Sequence, residues 1–546
     1  MTVILPFGTD NRPPPTGCPA HRQARCRRGL TRSEELGIAK AGKARRTTPR
    51  RPPGAVAVTP PPTAAPRADG APALLVLFGA TGDLARRMLF PALFELWERG
   101  LLPDRFAVIG SGRHSPGTDE DFRRQVAEAV AGAANGADPG ALERFTRRIG
   151  FATASAEDGS GLAAAVRERR TELGADCRTF LYLSVPPGQA DGMLRMTGRE
   201  GLAEGATLMV EKPVGEDVDT ARALNALLAS LAPEERILRI DHFLAKESVR
   251  ALLALRTANP WLAASWDARH IASVLIDVPE EIGIEGRASF MEHTGTFRDM
   301  VPTHLCQVLA AVAMEPPGSA DPEAERAARL RLFERTRPFD PARTVFGQYE
   351  GYRDEDGVAA DSTTETFAAV EVRIDDPRWQ GVPFLLRTGK SLDSAAHRLI
   401  VRFRAEDGAQ GGAEGGAQGG AEGGAQGGAQ GGPEDAAQGG GTELVVGLGA
   451  AADVELGVRL SRPGPRPGAV DGVLGLAPLP GADDSLSAYA QVFHHALRGD
   501  HRVFTTAAEV ERLWELAAPV LADPPPATPY PQGSAGPKPP TPDREG

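Results

Sequence analysis

The chain has little cysteine: Cys18, Cys26, Cys177 and Cys306 are the four among 546 residues. No two form a CxxC pair, which excludes a disulfide framework and a zinc ribbon. Cys18, His21 and Cys26 stand close together but lack the second ligand pair of a zinc site. This usage suits a reducing compartment, and a cytoplasmic location is expected. Long apolar runs are missing too. None reaches the roughly 18 residues that span a bilayer, so no membrane partner is expected. The start "MTVILPFGTDN" is broken by Pro and Asp too early for a signal peptide. Prolines follow the paired arginines of "ARRTTPRRPPGAVAVTPPP", which argues against twin-arginine export. A strong net charge of either sign is also absent. The net charge of −11 is mild for this length, and favours solubility over a nucleic-acid partner.

What is present is ordinary globular composition, 41% hydrophobic and 24% charged, with chain enough for two or more domains. Residues 1–72 are basic, rich in Pro and Arg and without periodicity, and read as a disordered tail. From residue 73 to about 240, buried apolar runs such as "ALLVLF", "RFAVIGSG", "TFLYLSVPP" and "ATLMV" alternate with helical segments. That pattern predicts a Rossmann-like α/β domain with a parallel sheet covered on both faces. From 241 to about 522 the strands lengthen and follow one another directly: "ASVLIDVPEEIGI", "TFAAVEVRI", "HRLIVRFRAE", "TELVVGLGA", "DVELGVRLS". They predict an α+β domain with a large, mostly antiparallel sheet. A Gly/Ala/Gln repeat at about 407–442 interrupts it and reads as a flexible loop. Residues 523–546 are rich in proline and are expected to wrap the surface or to be disordered.

The first chemical signal is "LLVLFGATGDLA", a glycine turn between a buried strand and a helix. Glycine allows the tight turn and lets the backbone approach a pyrophosphate at a helix N-terminus. Gly79, Thr81, Gly82, Asp83 and Leu84 are therefore expected to contact a dinucleotide. The second strand ends "IGSGRHS", with Arg113 where an NAD site usually carries an acid. A guanidinium suits a 2′-phosphate, so NADP is the expected coenzyme. Lys212, between a buried strand and Pro213, is expected to face the cleft where coenzyme and substrate meet.

In the order "GATGDLA", "EKPVGED", "RIDHFLAKE", "GIEGRASF", "RDMVPTHL" and "VPFLLRTGK", the chain resembles the glucose-6-phosphate dehydrogenase family over about residues 73–537. The resemblance implies oxidation of glucose 6-phosphate at C1 to a lactone, in the oxidative pentose phosphate pathway. It implies a homodimer or homotetramer whose contacts use the large sheet. It assigns His304 as general base and Asp241 as the acid that orients it. His242 and Lys246 would hold the sugar phosphate, sharing a face if a helix starts there. Glu280 and Asp299 would accept hydrogen bonds from sugar hydroxyls, Lys390 would approach the sugar or its phosphate, and Lys212 would bridge coenzyme and substrate. No metal is implied.

The chain departs from the family pattern at the pocket. Met88 stands where a lysine is usual, Phe243 replaces a phosphate-contacting tyrosine, and Ala395 replaces a basic residue. Pro302 and Thr303 replace the usual Gln-Asn before the catalytic histidine. Arg86, Arg87, His397 or Arg398 would have to reach in as compensation. Two alternatives follow: a divergent paralogue oxidising another sugar or sugar phosphate, or a catalytically weak NADP-binding regulatory homologue.

Overall fold

A computed structural model describes residues 70–133, 137–319, 321–404, 442–449, 453–461, 469–476 and 485–540. The basic tail and the Gly/Ala/Gln repeat lie outside the described residues, apart from their inner ends.

Six strands follow one another in the first half: β1 (Ala73–Phe78), β2 (Phe106–Gly112), β3 (Ile149–Thr153), β4 (Arg178–Leu183), β5 (Thr207–Val210) and β6 (Ile237–Ile240). Helices separate them, and all the pairings among the six are parallel. β1 is buried at every position, as a central strand with helices on both faces must be. Its side chains alternate between two cores. Leu74, Val76 and Phe78 join one, while Ala73, Leu75 and Leu77 join the other with the helix Phe90–Glu98.

The second sheet is built from β7 (Ile271–Pro279), β8 (Thr344–Tyr349), β9 (Phe367–Val372), β10 (Phe384–Gly389), β11 (Arg398–Phe403), β12 (Glu443–Gly447), β13 (Val454–Ser461) and β14 (Ala469–Leu476). The short β15 (Phe504–Thr505) returns to the first sheet antiparallel to β6. The first sheet then runs β15-β6-β5-β4-β1-β2-β3. The order reverses between β1 and β4, which opens a crevice at the strand C-termini where such sheets bind ligands. The second sheet runs β14-β13-β12-β11-β7-β10-β9-β8-β16 and is antiparallel except at β7–β10 and at β8 with β16 (Thr528–Tyr530).

β16 lies in the proline-rich C-terminal segment, which joins the sheet edge instead of only covering a surface. Prolines hide such a strand from a periodicity reading, yet an edge position tolerates them. Tyr530 anchors it: the buried hydroxyl donates to the Lys390 carbonyl at 2.6 Å. Among the described residues no helix is long and apolar enough to cross a membrane.

Candidate active site

The stretch "RIDHFLAKE" leaves β6 at its C-terminal end, beside the crevice. β6 is buried throughout, so the chain emerges from a rigid base. Residues 241–246 form turns, with the Leu244 N–H donating to the Asp241 carbonyl and the Lys246 N–H to that of Phe243. The helix starts only at Glu247, and Lys246 is its N-cap. The shared helical face expected for His242 and Lys246 therefore does not exist. A sharp turn out of a buried strand brings them together instead.

Asp241 and His304 meet, although 63 positions separate them, with His304 Nδ1 at 2.8 Å from Asp241 Oδ1. The same oxygen accepts from the Phe243 N–H at 2.9 Å. His304 sits in a π-helical turn, Val301–Leu305, between the helices Ala288–Met300 and Cys306–Ala313. Such turns often mark functional sites. The imidazole is fully buried, and its Nε2 has no partner among the described residues. Burial pushes the imidazole below its ordinary pKa, against the opposing pull of Asp241. Burial pushes the Asp241 carboxyl up, but His304 and the Phe243 N–H outweigh it and hold the acid below its usual range. The pair is a neutral base, oriented through one nitrogen and bare at the other.

Two lysine–carboxylate pairs flank it. Lys212 Nζ donates to Asp299 Oδ1 at 2.5 Å and to the Asp299 carbonyl at 3.0 Å. Burial raises the Asp299 carboxyl, but Lys212 more than offsets it, leaving the group well below the carboxylate range. Lys390 donates to Glu280 Oε2, at the junction of β10 and β7. Each carboxylate expected to accept from a sugar hydroxyl thus also holds a lysine in place.

Phe243 is the centre of a stack. One face lies on His304, with centroids 4.4 Å apart and planes within 16°. Lys246 Nζ stands 3.5 Å from the ring centroid. That nitrogen also donates to the Leu448 carbonyl at 3.3 Å. Burial lowers the Lys246 ammonium to about 7, against the pull of Asp241 and Glu280. His242 meets His304 edge-on at 4.5 Å and stacks on Tyr489 at 5.5 Å. Burial, then His304, Lys246 and Lys212, push its imidazole far down.

Sequence reasoning missed Tyr489 and Glu211. Glu211, next to Lys212, accepts from the Tyr182 hydroxyl at 2.5 Å and also from Tyr489. Burial raises its carboxyl to about 7. Tyr489 belongs to the helix Ala488–Arg498, nearly 250 residues downstream of His242. The signal available was an aromatic at the start of an amphipathic helix, which also fits a core residue.

At the coenzyme turn, Gly79 has φ of +72°, and a Cβ there would lie 2.1 Å from the Ser184 carbonyl oxygen. Only glycine fits the close passage of β1's end over β4's end. The Gly82 N–H donates back to the Gly79 carbonyl at 2.9 Å. Thr81, Gly82 and Asp83 are exposed, Leu84 is buried beneath them, and a π-helical turn (Ala85–Leu89) follows. Arg113 is exposed just beyond β2. This geometry fits a dinucleotide: a backbone cradle without side chains, then exposed polar groups along the crevice.

The departures resolve differently. Met88 packs against the core. Arg86 and Arg87 are exposed, and Arg87 faces Asp83 at 3.7 Å. Ala395 and Arg398 are exposed, and Arg398 lies opposite Asp277 of β7. His397 is half-buried, meets the Pro279 carbonyl and lies within electrostatic range of Lys246 and Glu280. Thr303 donates to the Asp299 carbonyl at 2.6 Å, so it supports the Lys212 anchor.

Comparison with known proteins gives a consistent picture. Residues 76–251 match the profile "Glucose-6-phosphate dehydrogenase, NAD binding domain". Residues 253–417 and 434–541 match "Glucose-6-phosphate dehydrogenase, C-terminal domain". The chain is 36% identical over 360 residues to glucose-6-phosphate 1-dehydrogenase 2 of Mycobacterium tuberculosis, covering 62% of this chain and 70% of that protein. It is 34% identical over 342 residues to glucose-6-phosphate 1-dehydrogenase 6, cytoplasmic, of Arabidopsis thaliana, covering 60% and 66%. The solved glucose-6-phosphate 1-dehydrogenase of Mycobacterium avium superposes with a TM-score of 0.73 at 32% identity, over 86% of this chain and 95% of that one. A glucose-6-phosphate dehydrogenase in complex with glucose 6-phosphate gives 0.75 at 28%, over 86% and 96%.

Proposed function

The chain belongs to the glucose-6-phosphate dehydrogenase family, and from that premise we propose that it oxidises glucose 6-phosphate at C1 to 6-phosphogluconolactone with NADP, in the oxidative pentose phosphate pathway. A nicotinamide coenzyme held by the Gly79–Leu84 turn would supply the acceptor for the hydride from C1. His304 Nε2 takes the proton of the C1 hydroxyl as the hydride departs. Asp241 keeps the other ring proton on Nδ1 and stabilises the imidazolium that forms. His242 and Lys246 meet the phosphate dianion. Glu280 and Asp299 orient the sugar, Lys390 approaches the sugar or its phosphate, and Lys212, fixed by Asp299, bridges sugar and coenzyme. The Gly79–Leu84 turn receives the pyrophosphate, and Arg113 the 2′-phosphate.

One observation carries this reading: a buried imidazole held through Nδ1 by a carboxylate, with Nε2 unpartnered among the described residues. A homodimer or homotetramer in the cytoplasm completes the proposal. Exposed Leu460 on β13 and Val473 and Leu474 on β14 support contact through the large sheet.

The stack of Phe243 beneath Lys246 favours a second reading, in which another sugar or sugar phosphate is the better substrate. A ring there offers no hydroxyl to a phosphate. NADPH formation by the full chain would be followed with glucose 6-phosphate, glucose and a panel of sugar phosphates. The expected result is selectivity for glucose 6-phosphate, lost in His304→Asn. Faster turnover of another sugar or sugar phosphate would favour the second reading. Coenzyme binding without turnover of any sugar would overturn both.

A further inference from the structure

We propose that His397 is a specificity-determining residue that contacts the phosphate of the sugar, standing in for the cation absent at Ala395. This rests on the glucose-6-phosphate reading above.

Of the four residues able to compensate, His397 is the one that is half-buried and within electrostatic range of Lys246 and Glu280. Arg86, Arg87 and Arg398 are exposed, with Arg87 facing Asp83 and Arg398 lying opposite Asp277. His397 lies one residue before β11, and its main chain is fixed: its carbonyl accepts from the Leu448 N–H at 2.9 Å. The Leu448 carbonyl in turn accepts from Lys246 Nζ. One end of the β11–β12 ladder therefore positions both His397 and Lys246. The imidazole meets the Pro279 carbonyl and lies within electrostatic range of Lys246 and of Glu280, which carries Lys390. Lys246, Lys390 and His397 thus border one small region at the ends of β7 and β10. These donors, together with His242, suit the oxygens of a phosphate monoester.

The groups facing His397 are Lys246 and Glu280, the latter already paired with Lys390. Burial and Lys246 hold the imidazole neutral, its pKa pushed down to about 4. A neutral imidazole donates one N–H, and the Pro279 carbonyl takes it. An arriving dianion favours the protonated ring, so binding draws in a proton that an arginine or lysine at this position would already hold. The consequence is selectivity by coupling: an unphosphorylated sugar neither meets nor charges His397.

The test uses the full chain. KM and kcat are measured for glucose 6-phosphate and for unphosphorylated glucose, with inorganic phosphate as a competitive inhibitor. The variants are His397→Ala, His397→Gln and His397→Lys, and His304→Asn is the control. His397→Ala should raise KM for glucose 6-phosphate about tenfold or more, the scale of one charged hydrogen bond. It should weaken inhibition by phosphate similarly. Its kcat should stay within about threefold, and its glucose kinetics within about twofold. His397→Lys should restore KM, a rescue that a purely structural role would not give. If His397→Ala does not fold, His397→Gln and the phosphate inhibition constant decide in its place. An unchanged KM, an equal change with glucose, or no rescue by lysine overturns the assignment of His397. If the unmodified chain turns over no glucose 6-phosphate, the functional reading fails and the assignment fails with it. Turnover sensitive to His304→Asn but indifferent to His397 sinks the assignment alone.

Discussion

Replacing Asp241 with alanine tests the proposed base most directly. The carboxylate is buried, and one oxygen serves both His304 Nδ1 at 2.8 Å and the Phe243 N–H at 2.9 Å. Without it, the imidazole proton is free to sit on Nε2, the nitrogen that must accept the substrate proton. The imidazolium formed in the transition state is then a buried, uncompensated charge. Breaking a buried pair of that kind costs about 3–5 kcal/mol. At about 1.36 kcal/mol per decade, kcat/KM for glucose 6-phosphate should fall by about 10²–10⁴-fold. The loss should appear in kcat, with KM within about threefold, because the ground state carries no charge on His304. The pH profile adds a signed check. Asp241 pulls the His304 pKa up against burial, so its removal lets that pKa fall further. The acid limb of residual kcat/KM, read from NADPH absorbance between pH 5 and 9, should therefore move to lower pH. A loss confined to KM, or an acid limb that moves up, would refute the assignment of Asp241 as the orienting acid.

Gly79→Ala places a Cβ 2.1 Å from the Ser184 carbonyl oxygen at a φ of +72°, so the turn must open. It should destabilise the fold by about 1–3 kcal/mol in urea unfolding and weaken NADPH binding, followed by fluorescence, by about tenfold or more. Unchanged coenzyme affinity would separate the turn from the binding site. Arg113→Glu should lower the NADP-to-NAD ratio of kcat/KM by about 10–100-fold, the scale of a charged hydrogen bond lost to a 2′-phosphate. An unchanged ratio would mean that Arg113 is an ordinary surface arginine.

The sequence by itself determined the elements and the order of the chemistry. Buried runs alternating with helices specified a parallel sheet, because a strand covered on both faces must be apolar throughout, as β1 is. Gly79 was legible because a tight turn before a helix leaves a composition signal that needs no partner. The motif "RIDHFLAKE" marked Asp241, His242 and Lys246 as a group, and the family resemblance supplied His304. Local chemistry failed where non-local packing decided. A four-residue spacing suggested a shared helix face, but burial of β6 up to Ile240 delays the helix to Glu247. β16 was hidden by prolines, because an edge strand is selected by its neighbour and not by its own pattern. Only the tertiary structure joined Asp241 to His304, stacked Phe243 between that ring and Lys246, and brought Tyr489 onto His242. It also left His397 half-buried and Arg86, Arg87 and Arg398 exposed. Spacing in sequence states which groups a chain carries, whereas long-range packing states which of them face the same few ångströms of space.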